Sequence, residues 1–213
     1  MLIDTSNVNE KIYYLIKKRI FDSTYPAGHK INLNNLKEEI GVSQSPIKAS
    51  LFRLAGEGLV EICSRRGIYV KNVTREDITE IYDTRLIIEA GAGEIVAKYI
   101  TQEQIAKLEN LYKRSLISAA NEPYSNFIKE AAEFHIEIIR FANNGRLLAI
   151  YENLNVHMQM VRFRYAKRNV KKLPKTDKEH FNILDSLRKH DVKKTKNAIK
   201  KHLLNAKKSI LQL

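Results

Sequence analysis

The sequence predicts a mainly α-helical chain in two parts: a front of short helices closed by a β-hairpin, and a back of long helices packed antiparallel. Three observations predict it. Apolar residues recur at spacings of three and four along most of the 213 residues. Of the eight glycines, Gly28, Gly41, Gly56, Gly58 and Gly67 fall in the front, so turns crowd there and long helices fill the rest. Thr74-Arg75-Glu76-Asp77 reads as a helix N-cap with an acidic first turn, which puts the boundary near 72 and gives domains 1–72 and 73–213.

In the front, Ile12, Leu15, Ile16 and Ile20 make a first helix of about four turns, ended by Tyr25-Pro26-Ala27-Gly28. Leu33, Leu36 and Ile40 make a short second helix that stops at Gly41. Ser43-Gln44-Ser45-Pro46 starts a third, and Pro46 suits a first turn because the N–H it lacks has no partner there. Ile47, Leu51 and Leu54 face inward, leaving Gln44, Ser45 and Lys48 outward at the N-terminal end, as the recognition helix of a helix-turn-helix requires. Leu59-Val60-Glu61-Ile62, Ser64-Arg65-Arg66-Gly67 and Ile68-Tyr69-Val70 read as a β-hairpin with a basic turn, in which Cys63 simply packs. A helix-turn-helix followed by such a hairpin is a winged helix. On spacing alone, Gln44 and Lys48 could equally be a solvated face, and Arg65 and Arg66 a solvated turn.

These residues resemble the GntR family of bacterial transcription regulators. The match runs through Pro26-Ala27-Gly28, Leu33, Leu36, Gly41-Val42-Ser43, Pro46-Ile47-Lys48, Leu51, Arg53-Leu54, Gly58-Leu59-Val60 and Gly67-Ile68-Tyr69-Val70. The resemblance implies a double-stranded DNA operator as partner, contacted by Asn34, Ser43, Gln44, Ser45, Lys48 and Arg53 and, on the wing, by Arg65, Arg66 and Gly67. Asn34, Gln44 and Lys48 stand where relatives carry arginines. Glutamine reads adenine, and lysine lacks the planar fork of arginine, so a different operator is expected.

In the back, Ile78, Ile81, Tyr82, Ile88, Ala92, Ile95, Val96 and Tyr99 form a helical stripe on which Arg85 falls. A buried arginine must be paired or bind an anion. Glu89 at i+4 and an acidic ligand are both open as its partner. His135, His180 and His202 each sit among inward-facing apolar residues. With His190-Asp191 as the turn between the last two helices, His180 and His202 come to similar height. Three imidazoles could thus meet at a divalent ion, or only pack and hydrogen-bond in the core.

This half resembles the effector domain of the FadR branch of the same family, a bundle of six or seven helices. The resemblance implies a divalent metal, zinc or nickel, on His135, His180 and His202, and a small organic-acid effector contacted by Arg85 and Asn144. The metal-binding carboxylate of the family pattern is missing, since Ala131 stands four residues before His135. A homodimer is expected, because two half-sites are read by two copies.

Charge and composition agree with this reading. Lys and Arg number 37 against 24 Asp and Glu, a net +13 that favours polyanionic partners. Residues 162–213 hold 17 basic and 4 acidic groups, among them Arg162, Arg164, Lys167, Arg168, Lys171 and Lys172. One cysteine rules out an intrachain disulfide and a cysteine-based zinc cluster. Asp4, Glu10 and Lys11 interrupt any secretory core, and no apolar run is of membrane-spanning length, so no membrane and a cytoplasmic location are expected. Two functions compete with regulated DNA binding. One is a metal-dependent hydrolytic enzyme, against which no general base adjoins the histidines. The other is a constitutive DNA-binding protein with a purely structural bundle.

Overall fold

The computed structural model describes residues 5–120, 125–168 and 174–212, and falls into two compact units, Met1–Val73 and Thr74–Leu213. The first unit begins with α1 (Thr5–Phe21), which buries Ile12, Tyr13, Ile16 and Ile20. Tyr13 takes the inward place read for Leu15, because its hydroxyl has a partner at depth: it donates to both Glu57 carboxylate oxygens at 2.6 and 2.8 Å. Helix α2 (Leu33–Ile40) is capped by Asn32, whose side chain accepts from the Asn34 and Asn35 amides, and ends at Gly41 in the left-handed region at φ 72°. Helix α3 (Gln44–Gly56) buries Ile47, Ser50, Leu51 and Leu54.

A three-stranded sheet completes the unit, in the order β1 (Lys30–Ile31), β3 (Gly67–Val70), β2 (Val60–Cys63), all antiparallel. The hairpin is the one read from sequence. The two-residue β1 is too short to show alternation and was legible only through its pairing, Lys30 with Tyr69 and Ile31 with Ile68. Gly67 is favoured where it stands by its backbone, since its φ of 119° is one that residues with a Cβ rarely adopt.

The second unit has six described helices: α4 (Arg75–Tyr99), α5 (Gln102–Ala120), α6 (Ser125–Phe141), α7 (Gly145–Arg168), α8 (Pro174–Arg188) and α9 (Val192–Leu211). Thr74 and Asp77 close a reciprocal capping box at the start of α4. His190, at φ 50°, and Asp191, the N-cap of α9, make the tight turn that sets α8 and α9 side by side. Two residues of the apolar stripe on α4 are corrected. Ile95 and Tyr99 are 43% and 77% exposed, because the buried face runs through Ala92, Gly93, Val96 and Ala97 instead. Gly93 sets how closely α9 approaches, since a Cβ there would lie 2.4 Å from Ile199 Cδ1 and 3.3 Å from Thr195 Cγ2. Of the basic run, Lys171 and Lys172 lie outside the described residues, as do the side chains of Arg164, Lys167 and Arg168.

Gly93→Ala should therefore overpack the α4–α9 contact and destabilise the helical unit by about 1–3 kcal/mol. Adding Ile199→Val removes the colliding methyl, so urea unfolding of the double variant should show a smaller loss than the two single losses summed.

Candidate nucleic-acid interface and metal centre

At the front of α3 the backbone of Ser43 is extended and its side chain makes no cap bond. Ser43, Ser45 and Lys48 are exposed, and Gln44 is half-buried. Gln44 Nε2 donates to Asn34 Oδ1 at 2.9 Å, joining the first turns of α2 and α3 through their side chains. On the wing, Arg65 and Arg66 are exposed at the turn between β2 and β3, with Arg65 at φ 62°. Arg53 is placed differently. Its guanidinium lies 3.8 Å over the Tyr13 ring, 2.5 Å from Glu10 and 3.6 Å from Glu57, an anchor between α1 and α3. The candidate interface thus has two groups of residues, the α3 front with Asn34 and the wing turn, while Arg53, itself exposed, is also held by Glu10 and Glu57.

In the helical unit His135 from α6, His180 from α8 and His202 from α9 come together. All three are buried, and one ligand atom from each lies within 4.8 Å of the others. His135 Nε2 and His180 Nε2 are 3.1 Å apart. The His135 and His202 rings stack with centroids 5.0 Å apart, and His180 tilts against His202 at 4.6 Å. Two carboxylates hold the far sides of two rings: Glu89 Oε2 is 2.7 Å from His135 Nδ1, and Glu179 Oε2 is 2.9 Å from His202 Nδ1. A carboxylate that accepts from Nδ1 favours the proton there and leaves the Nε2 lone pair free, as Glu179 does for His202; Glu89 meets His135 at ion-pair distance, although His135 Nδ1 makes no hydrogen bond of good geometry. Burial pushes His135 down to about 4 against the pull of Glu89, and burial with the neighbouring His202 and His135 holds His180 well below its usual value. Both rings are accordingly neutral at pH 7, the state that binds metal. Nitrogens bound at 2.0–2.1 Å to one ion stand roughly 2.9–3.4 Å apart at octahedral to tetrahedral angles, so the spacing of His135 and His180 fits a shared ion. Ala131 leaves the fourth protein ligand of the expected pattern absent.

Beside the histidines lies a second buried polar group. Arg85, 2% exposed, pairs with Glu89 through Nε at 2.6 Å, and Tyr151 donates to the same Glu89 oxygen at 2.8 Å. Burial alone would raise the Glu89 carboxyl. The charge of Arg85 first, and then the pull of His135 and Tyr151, outweighs it and holds the group far below the carboxylate range. Arg85 Nη2 is buried without a hydrogen-bond partner. Arg162 on α7 hydrogen-bonds Asn155 at 3.2 Å, and burial together with the charge of Arg85 lowers its pKa. Asn144 stands apart in role: it is exposed, and its Oδ1 accepts from the Leu147 amide to cap α7. Sequence reasoning offered Glu89 as one of two possible partners of Arg85 but missed its contact with His135; it missed Glu179 and Tyr151, and it read Arg162 only as part of a basic run. Only Glu179 had a signal, adjacency to His180.

Comparisons with known proteins agree with both halves. Residues 8–70 match the bacterial regulatory proteins of the gntR family, and residues 80–205 match the FCD domain. An HTH-type transcriptional regulator of Bacillus subtilis, YdhC, is 27% identical over 91% of this chain and 85% of its own length. The HTH-type transcriptional repressor RspR of Escherichia coli is 23% identical over 98% and 91%. The gluconate operon transcriptional repressor of Bacillus subtilis is 26% identical over 74% and 64%. Among solved structures, a GntR regulator from Rhodococcus superposes with a TM-score of 0.82 at 18% identity, covering 97% of this chain and 98% of that one, and McbR/YncC of Escherichia coli with 0.80 at 16%, covering 96% and 98%. With a winged helix joined in one chain to a helical bundle, and with both family matches over those two parts, the chain belongs to the GntR family of DNA-binding transcription regulators, with an FCD effector domain.

Proposed function

We propose that this regulator senses a small organic acid at a divalent ion, zinc or nickel, held by His135, His180 and His202, and that occupancy changes its affinity for an operator. The observation that carries the reading is the meeting of three buried imidazoles from three helices, two of them held through Nδ1 by carboxylates. Bound there, the ion would supply a positive centre for an anion. Arg85 is the second receptor, because its Nη2 is buried and unpartnered while Nε is held by Glu89. A relative named for a gluconate operon supports an acid, gluconate being a carboxylate. A hydrolytic enzyme is the poorer reading: Glu89 and Glu179, the carboxylates nearest the histidines, are both engaged with ring nitrogens. The acid can alter DNA binding only through its preference for one arrangement of the protein over another. We further propose that the protein works as a homodimer on two half-sites, in the cytoplasm. Among the described residues, no helix is long and apolar enough to cross a membrane.

Three outcomes are expected. Metal analysis after dialysis should find one ion per chain in the parent, a tighter site in Ala131→Asp, a weaker one in Glu89→Gln and none in His180→Ala. No metal in either the parent or Ala131→Asp would reduce the cluster to core packing. Arg85→Lys keeps a cation for Glu89 but loses the fork, so thermal shifts across a panel of organic acids should disappear while DNA binding persists. Unchanged shifts would leave Arg85 as a structural ion pair, and a parent without any shift would favour constitutive binding. Replacing Arg65 and Arg66 together with alanine should weaken binding to all duplexes alike and flatten its salt dependence. Parental affinity at physiological salt would remove the wing from the interface.

A further inference from the structure

We infer that Asn34 is a positioning residue that orients Gln44 to read an adenine, so that each half-site carries an A·T pair facing the front of α3. A glutamine amide has one acceptor oxygen and two N–H donors. Here one N–H is occupied, donating to Asn34 Oδ1 at 2.9 Å. What remains on Gln44 is one N–H and Oε1. Adenine presents in the major groove an N7 acceptor beside an N6 donor, which matches that pair bidentately. Guanine presents two acceptors, N7 and O6, so Oε1 would face an acceptor there.

The amide pair has little structural work to do. Asn34 is exposed and Gln44 only half-buried, while α2 and α3 are held to the core by Leu36, Ile47 and Leu51, all essentially inaccessible. A solvent-facing hydrogen bond between neutral side chains adds only about 0.5–1.5 kcal/mol to stability. Its effect lies elsewhere: a free glutamine has three rotatable bonds to immobilise on binding, and a partner on the protein removes part of that cost beforehand. Gln44 begins α3, at the end that enters the groove in a helix-turn-helix, with Lys48 exposed one turn further on. Asn34 acts through Gln44 and touches no base itself.

The test is binding selection of the full-length protein on a random duplex library, followed by affinity measurements on recovered sites that differ by one base. The parent should recover an A·T pair at a position whose preference Gln44→Ala abolishes, and Gln44→Arg should move that position to guanine. Asn34→Ala should reduce the preference for adenine about three- to tenfold, a fraction of the discrimination of one bidentate contact. Asn34→Asp keeps the acceptor oxygen, so it should keep the base ranking while its charge weakens binding to every sequence equally. Three results would each overturn the inference: no adenine preference dependent on Gln44, a parental preference in Asn34→Ala, or loss of the ranking in Asn34→Asp as complete as in Asn34→Ala.

Discussion

A single carboxylate, that of Glu89, joins the polar elements at the centre of the helical domain. One oxygen takes Arg85 and Tyr151, and the other takes His135. An ionised carboxylate at this depth is tolerable only because opposite charge and hydrogen bonds replace the water it has lost. The same contacts dictate what its partners can do. Arg85 is held by one edge, which leaves Nη2 with no protein partner. His135 meets the Glu89 carboxylate on its Nδ1 side at 2.7 Å, and its Nε2 stands 3.1 Å from His180 Nε2. Removing the carboxylate would therefore strand a buried guanidinium and take the counter-charge from beside a buried imidazole together.

Glu179 repeats the arrangement on the other side of the cluster, holding His202 Nδ1 and also accepting from Asn205. The absence of an aspartate at 131 is in this light a change in how negative charge is supplied. Neither carboxylate stands among the three clustered ligand atoms, yet both lie one imidazole away, where they raise the basicity of ring nitrogens and offset positive charge at the cluster. The ion proposed for these imidazoles would face an incoming anion with no carboxylate among its protein ligands, an arrangement that would suit a sensor of acids.

In the winged helix, the proposed DNA contacts lie apart from the charged contacts that join α1 to α3. Arg53 is spent on Glu10, Glu57 and the Tyr13 ring, and Lys17 also pairs with Glu57, so the α1–α3 contact is stapled by charge as well as by Ile12, Ile16 and Leu51. Among the exposed cations of this unit, Lys48 lies on the α3 face and Arg65 and Arg66 at the wing turn. Backbone conformation sharpens the wing: Arg65 lies in the left-handed region at φ 62°, and Gly67 has a φ of 119° that favours glycine.

The sequence by itself determined the winged helix, its hairpin, the start of α4 at Thr74 and the inward faces that carry His135, His180 and His202. These are local matters: apolar period, a capping threonine and glycines with positive φ are written within a few residues of where they act. Tertiary structure alone decided that Glu89 serves His135 as well as Arg85, that Glu179 reaches His202, that Tyr151 and Arg162 join the buried polar group, that Asn144 is a helix cap, and that Arg53 anchors α1. It also decided which edge of the α4 stripe is covered, leaving Ile95 and Tyr99 exposed. The physical reason is that helical period specifies a face but neither the partner that covers it nor the residue that meets it. A partner lies tens of residues away, and its identity depends on how helices are paired and how closely a residue such as Gly93 lets them approach.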